Sequence, residues 1–320
     1  PSAAEAQRRP YALLLRAMTD AGVTWKVYRS DVPSSAILDF GLTFNASTKD
    51  NFATIAQFAD DAKNDKLPDV VFLDPAWVLE MIGKAPSEFV LHARNPRLII
   101  VRITGFGQDG PYGDRPGFDQ VAQGMGGLMS ITGFEGQGPV RAGIAVADST
   151  TGMFCAIGIL TALLEREQSG RGQWVQANLL SSMIALCDFQ AARYLIDDEV
   201  PPRAGNDHPV TTPMGAFQSA DGHFNLGVGN TQQFRTLCDL IERPDLRDHP
   251  DYQTNAGRYK DRPQLAVELS KSFEKRTTQA WVDLLNAAGV PAGPIYAMDE
   301  VFADPQVKHL GVAEGIDSKD

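Results

Sequence analysis

Short uninterrupted apolar runs alternate with longer stretches of helical period along the first half of the chain. Asp69-Val-Val-Phe-Leu73 and Leu98-Ile-Ile-Val-Arg102 are the pattern of strands buried on both faces of a parallel sheet. Thr24-Trp-Lys-Val-Tyr28 alternates as a strand, and so does Gln173-Trp-Val-Gln-Ala177 after the Gly170-Arg-Gly172 turn. The intervening periodicity predicts helices over 1–22, from Asn51 to Ala62, Pro75 to Ile82 and Pro86 to Ala93. Further helices are expected from Phe118 to Met129, from Asp148 to about Glu167, and from Leu179 to Leu195. Strand and helix alternating at this spacing predict βαβ units, hence an α/β fold with a Rossmann-like parallel sheet.

Pro201-Pro202 marks the expected boundary between a large domain, 1–200, and a smaller α+β domain, 201–320. In the second part, short strands around Ala216 and Phe224 flank an Asp221-Gly222 turn. Helices follow over Gln232 to Ile241, Gln264 to Lys275 and Gln279 to Ala288.

Composition narrows the partners. With 320 residues, 43% of them hydrophobic, the chain can bury a substantial core, and its net charge of −11 disfavours nucleic acid and anionic membrane surfaces. Cys155, Cys187 and Cys238 lie in apolar helical patterns without metal or redox spacing, as expected of reduced thiols in a cytoplasmic protein. No opening segment reads as a signal peptide and no apolar run is expected to span a membrane. The five histidines are scattered, so no metal site is expected. A GxSxG elbow is absent, and Gly105-Phe-Gly107 lacks the third glycine of a dinucleotide loop.

The segment Arg141-Ala-Gly-Ile-Ala-Val-Ala-Asp148-Ser-Thr-Thr-Gly152 puts a carboxylate among small residues at the start of a long apolar helix. Two readings stand. Asp148 is a helix N-cap, or it is a carboxylate nucleophile with free backbone N–H groups nearby to hold developing charge.

Eight segments occur in order: Val101-Arg-Ile-Thr-Gly-Phe-Gly107, Gly110-Pro-Tyr112, Asp114-Arg-Pro-Gly-Phe-Asp119, Gly143 to Gly152, Glu165-Arg166 with Ser169-Gly-Arg-Gly-Gln173, Gly205-Asn206 with His208-Pro209, Ala220-Asp-Gly222, and Gly289-Val-Pro-Ala-Gly-Pro294. Together they resemble the class III CoA-transferase family, the group of formyl-CoA transferase, carnitine CoA-transferase and α-methylacyl-CoA racemase. The resemblance runs from about Asn95 to Gly311. It implies interlocked homodimers and makes Asp148 the nucleophile of CoA transfer from an acyl-CoA to a small di- or hydroxy-carboxylic acid. The expected route is an aspartyl anhydride followed by an aspartyl-CoA thioester, with the CoA thioester as substrate and no tightly bound cofactor. A helix N-terminus is expected to lower the pKa of that carboxylate.

The same resemblance assigns CoA contacts to Arg29, Arg115, Phe118 and Asp119, and substrate contacts to Gly205, Asn206 and His208. Glycine at 205 is expected to let backbone N–H groups reach an acyl oxygen, and Asp119 to contact substrate or cap its own helix. Arg97, Arg102 and Arg141 are further candidates for phosphate or carboxylate contacts. Racemases of the family carry histidine where Phe118 stands, and phenylalanine cannot move an α-proton, so transfer is favoured over racemization. Before Asn95 the match is poorer. Ile37-Leu-Asp-Phe-Gly41 and Leu73-Asp-Pro-Ala-Trp77 replace polar family stretches, and Met81 stands where arginine is common. These departures leave two alternatives: a family member with impaired CoA binding, or an acyl-CoA hydrolase in which water intercepts the aspartyl intermediate.

Overall fold

The computed structural model describes residues 95–313, the strand backbones 25–29, 52–54 and 70–73, and positions 22, 24, 57, 61, 66–68, 92 and 93. Two compact units divide the chain: Pro1–Thr132 with Gly138–Pro202, and Gly133–Gln137 with Arg203–Asp320. The short piece Gly133–Gln137 thus groups with the second unit although it lies inside the expected large domain.

The first unit is built on β1 (Trp25–Arg29), β2 (Phe52–Thr54), β3 (Val70–Leu73), β4 (Ile99–Thr104) and β5 (Trp174–Asn178), ordered β2-β1-β3-β4-β5 and all parallel. This is the doubly wound order in which the chain reverses direction between β1 and β3, and ligands characteristically bind beyond the carboxyl ends of such strands. Leu98, Ile99, Ile100 and Val101 are buried, as their uninterrupted apolar run requires. The helix expected from Asn51 to Ala62 fails in part: Gln57 and Asp61 are helical, but Phe52-Ala-Thr54 is strand, because Val27 to Arg29 offers it a parallel partner. Pairing overrides a helical period over three residues. The expected helices over 1–22, Pro75 to Ile82 and most of Pro86 to Ala93 lie outside the described residues.

After β4 come α1 (Asp119–Met125), α2 (Leu128–Ile131), α3 (Val146–Ser169), then β5, α4 (Leu179–Leu186) and α5 (Asp188–Asp197). Gly127 at φ 91° separates α1 from α2, so the expected single helix is broken at its glycine pair. The expected Leu179 to Leu195 helix is likewise two, bent by 82°, with Asp188 at φ 45°. Helix α3 is 24 residues long and apolar enough for a membrane span by length and composition alone, a test that core helices also pass. One face, Ala147, Thr151, Cys155, Ile159 and Ala162, is buried, and the helix packs on β4, β5, α1 and α4.

The second unit pairs β6 (Met214–Gln218), β7 (His223–Gly227) and β8 (Ala292–Pro294) as an antiparallel sheet. Helices α6 (Thr231–Leu240), α7 (Pro244–Arg247), α9 (Arg262–Phe273) and α10 (Thr278–Ala287) share its core, and α8 (Asn255–Lys260) leads into α9. Phe273 is the hub, meeting Phe217, Phe224 and Trp281 edge to face. Arg258 is buried through two carbonyl acceptors, Thr212 O and Tyr252 O at 2.8 Å each, beneath the Phe234 ring.

Candidate active site

Helix α3 returns the chain from the carboxyl end of β4 to the start of β5, so it runs antiparallel to both strands. Its far end is anchored at the opposite edge: Arg166 donates to Arg97 O at 3.0 Å and the Gly172 N–H to Pro96 O at 2.7 Å, both just before β4. Its first turn therefore lies at the carboxyl edge of the sheet. Arg29 is the last residue of β1, on that same edge and beside the point where strand order reverses.

Asp148 is the third residue of α3 and half-buried. The N-cap is Ala145, whose side chain has no oxygen to cap with. The cap is supplied from α1 instead. Asp119, 8% exposed, accepts the Ala147 N–H on Oδ1 at 2.9 Å. Its Oδ2 accepts Gln123 Nε2 at 2.7 Å and Arg141 Nη2 at 3.1 Å. Asp119 thus caps the helix of Asp148 and not its own, which starts from an uncapped Phe118. Asp148 is inside the helix and is not its N-cap.

Two expectations about charge are corrected here. The first-turn N–H groups of Val146, Ala147 and Ser149 are bonded to Ile144 O, Asp119 and Ala145 O, so they do not form the expected bank of free donors. The pKa of Asp148 is not lowered by the helix terminus. Burial, and then the nearby Asp119 charge, raise it from 3.8 to about 6. Such a carboxylate is ionised above neutrality yet more basic than an ordinary aspartate, which favours nucleophilic attack.

The same shift has a stability consequence. The unfolded state releases the Asp148 proton near pH 3.8 and the folded state only near 6, so folding stability falls between those values and the penalty is complete above about 6. Full burial would make the penalty about 3 kcal/mol, and solvent screening of this half-buried group reduces it to about 1–2 kcal/mol. Asp148→Asn is expected to unfold at higher temperature than the parent at pH 8, with the difference vanishing near pH 4 in paired thermal scans.

The loop between β4 and α1 is closed by backbone contact. A Cβ on Gly105 would lie 2.7 Å from Gly117 Cα, so neither position has room for a side chain. Leu180 N–H donates to Gly105 O at 3.1 Å, tying the end of β4 to the start of α4. This closure delivers Phe118 and Asp119 to the start of α1. Phe118 is 71% exposed. Arg115 stacks on Tyr112 at 3.8 Å, and Phe106 meets Tyr112 edge to face. Arg102 is bonded to Gln108 at 2.6 Å, and Arg141 is committed to Asp119 and Ile144 O.

In the second unit, Gly205 adopts φ 61° and a Cβ there would meet the Phe134 ring at 2.7 Å. Its N–H donates to Gly133 O at 3.0 Å. Asn206 is exposed. His208 Nδ1 accepts the N–H groups of Val210 and Thr211 at 3.2 and 3.1 Å, which organises the turn before β6. Among the described residues no group of three or more His, Cys, Asp or Glu side chains could hold a metal ion. Gln123 was missed by the sequence reading, although Asp119 and Gln123 stand four apart on one helix, a spacing at which such side chains meet.

The model of CoA-transferase family III matches residues 84–320. The human succinyl-CoA:glutarate CoA-transferase is 42% identical over 217 residues, 68% of this chain and 50% of that protein. The succinate–glutarate CoA-transferase of Agrobacterium fabrum is 39% identical over 230 residues, 72% of this chain and 58% of that protein. A crystal structure of a CAIB/BAIF family protein from Brucella suis aligns with a TM-score of 0.68 at 34% identity, covering 82% of this chain and 71% of that one. The chain spans little more than half the length of these curated relatives. By the extent of these matches, the chain belongs to CoA-transferase family III.

Proposed function

We propose that this chain carries the nucleophile of a CoA-transferase that moves CoA from an acyl-CoA to a small dicarboxylic acid. The observation that carries the reading is the half-buried Asp148 carboxylate, held in the first turn of α3 with its pKa raised to about 6. A carboxylate is suited to this exchange because each intermediate keeps the acyl group activated.

An Asp148 oxygen attacks the thioester carbonyl carbon. The C–S bond breaks, and CoA thiolate leaves behind a mixed anhydride. The thiolate then attacks the Asp148 carboxyl carbon, releasing the donor acid and leaving an aspartyl-CoA thioester. The acceptor carboxylate attacks that same carbon and expels the thiolate again. Attack of the thiolate on the acceptor's acyl carbon forms the new thioester and restores the Asp148 carboxylate. No net proton is taken up or lost. Water must be excluded because it would hydrolyse every intermediate.

The dicarboxylate class is supported by the relatives, two of which are named for succinate or succinyl-CoA and glutarate. Phe118 has no ionisable atom, which supports transfer over proton abstraction. A homodimer belongs to the same reading, supported by the outward stripe Met153, Ile157, Leu160 and Leu164 on α3, 50–72% exposed.

The test is a panel of dicarboxylates and hydroxy acids offered with succinyl-CoA, followed by chromatography of the CoA esters. Acceptor-dependent formation of a new thioester is expected, about tenfold or more above acceptor-independent breakdown, with glutarate among the best acceptors. Succinate and free CoA released at the same rate without acceptor would make the protein a hydrolase. No consumption of succinyl-CoA, together with no CoA binding by calorimetry, would reject the reading.

A further inference from the structure

Asp119 takes no part in the bond-making steps above, yet it holds both ends of the segment that leads into Asp148. Besides the Ala147 N–H, its carboxylate holds Gln123 and Arg141. Gln123, fully buried, accepts the Ala142 N–H on Oε1 at 2.9 Å and donates from Nε2 to Ile144 O at 3.2 Å. Arg141 also donates to Ile144 O at 3.2 Å. The segment Arg141–Ala147 is thus laced to α1 at four of its residues, and the last of them precedes the nucleophile.

We propose that Asp119 is the positioning residue of the transfer reaction: it fixes the start of α3 through Ala147, and its negative charge, balanced by Arg141, keeps the Asp148 carboxylate reactive. The proposal rests on the reading of Asp148 as nucleophile. Among the described residues, few other charges compete for this role. Of the elements packed on α3, α4 and β5 contain no ionisable side chain. Strand β4 contributes only Arg102, which lies over the Trp174 ring and is bonded to Gln108. Helix α1 contributes only Asp119, and the approach segment only Arg141. The two carboxylates share one helix terminus, and like charge disfavours ionising the second. That agrees with the raised Asp148 pKa, to which burial contributes most and the Asp119 charge adds.

The test exploits opposite signs. Asp119→Asn keeps an acceptor for the Ala147 N–H and removes the charge. Arg141→Gln keeps the Asp119 carboxylate and removes its counter-charge. Asp148 is titrated in the full chain by carbodiimide labelling, which requires the protonated acid, read by peptide mass spectrometry. Formation of the succinyl adduct from succinyl-CoA is followed in parallel. The labelling midpoint of the parent is expected near pH 6. It should move down by about one pH unit in Asp119→Asn and up in Arg141→Gln. Adduct formation in Asp119→Asn should slow by about tenfold or more.

Three coincident labelling curves would overturn the proposal. A slowed adduct with an unmoved midpoint would reduce Asp119 to a structural cap and overturn it as well. If Asp119→Asn fails to fold, Arg141→Gln decides alone, because it leaves both carboxylates in place. A parent protein whose Asp148 titrates as expected but accepts no acyl group would reject the nucleophile reading while leaving the Asp119 coupling measured.

Discussion

Asp148→Asn is expected to lower kcat for CoA transfer by about 10⁴-fold or more while leaving CoA affinity close to that of the parent. The amide is the same size as the carboxylate but cannot open the thioester and cannot carry CoA between donor and acceptor. Every step of the proposed exchange passes through this one side chain, so no partial pathway survives its loss. The structure removes the main competing explanation for such a loss. The Ala147 N–H in the first turn of α3 is capped by Asp119, and the N-cap position is Ala145, so the variant keeps the helix start intact. The same substitution should raise stability at pH 8, because it removes a carboxylate whose ionisation opposes folding. Loss of activity with a gain in stability separates a reacting group from a structural one; a measurement of kcat beside thermal unfolding at pH 8 reads both.

Gly172→Ala should be the most disruptive small substitution at the other end of α3, lowering stability by about 4 kcal/mol or more and preventing the first unit from folding at ordinary temperatures. A Cβ at Gly172 would lie 1.9 Å from Leu98 O and 2.5 Å from Arg97 O, both backbone atoms leading into β4. Both are held in place, since Arg97 O accepts from Arg166 and Leu98 O is 2.9 Å from His92 Nε2, while the Gly172 N–H is bonded to Pro96 O. Gly170, two residues earlier, provides the contrast. It sits at φ 73° with open space around its Cβ position. Gly170→Ala should therefore cost only about 1 kcal/mol, the strain of placing a side chain in left-handed backbone. Denaturant unfolding of the two variants checks the difference, and comparable stabilities would show that the α3–β5 turn yields where the structure says it is rigid.

Much of the frame was legible because it depends on local pattern. The apolar runs around Val71 and Ile100 could be satisfied only inside a sheet, and both are parallel strands. The glycines of the Gly170-Arg-Gly172 turn marked a chain reversal. What escaped was decided by contacts between residues far apart. Phe52–Thr54 carries a helical period yet pairs with β1. The break between α4 and α5 leaves its trace in the backbone of Asp188, which nothing in its side chain announces.

The candidate site divides in the same way. Asp148 was found from its small neighbours and its place before an apolar helix. Its electrostatics were misjudged because the helix terminus was weighed alone, whereas burial and Asp119, 29 positions away by number, act in the opposite direction. Asp119 was expected to serve CoA or its own helix, and it caps α3. Gly205 shows the converse. Its positive φ is what a loop glycine suggests, and its N–H is bonded to Gly133 O, a partner 72 positions away by number.

The covalent role of Asp148 is tested most directly by incubating the protein with succinyl-CoA in the absence of acceptor, quenching with hydroxylamine or borohydride, and mapping the peptides by mass spectrometry. The account predicts a hydroxamate or a reduced side chain at Asp148, absent in Asp148→Asn. Modification at another carboxylate, or turnover of succinyl-CoA with Asp148 untouched, would contradict it.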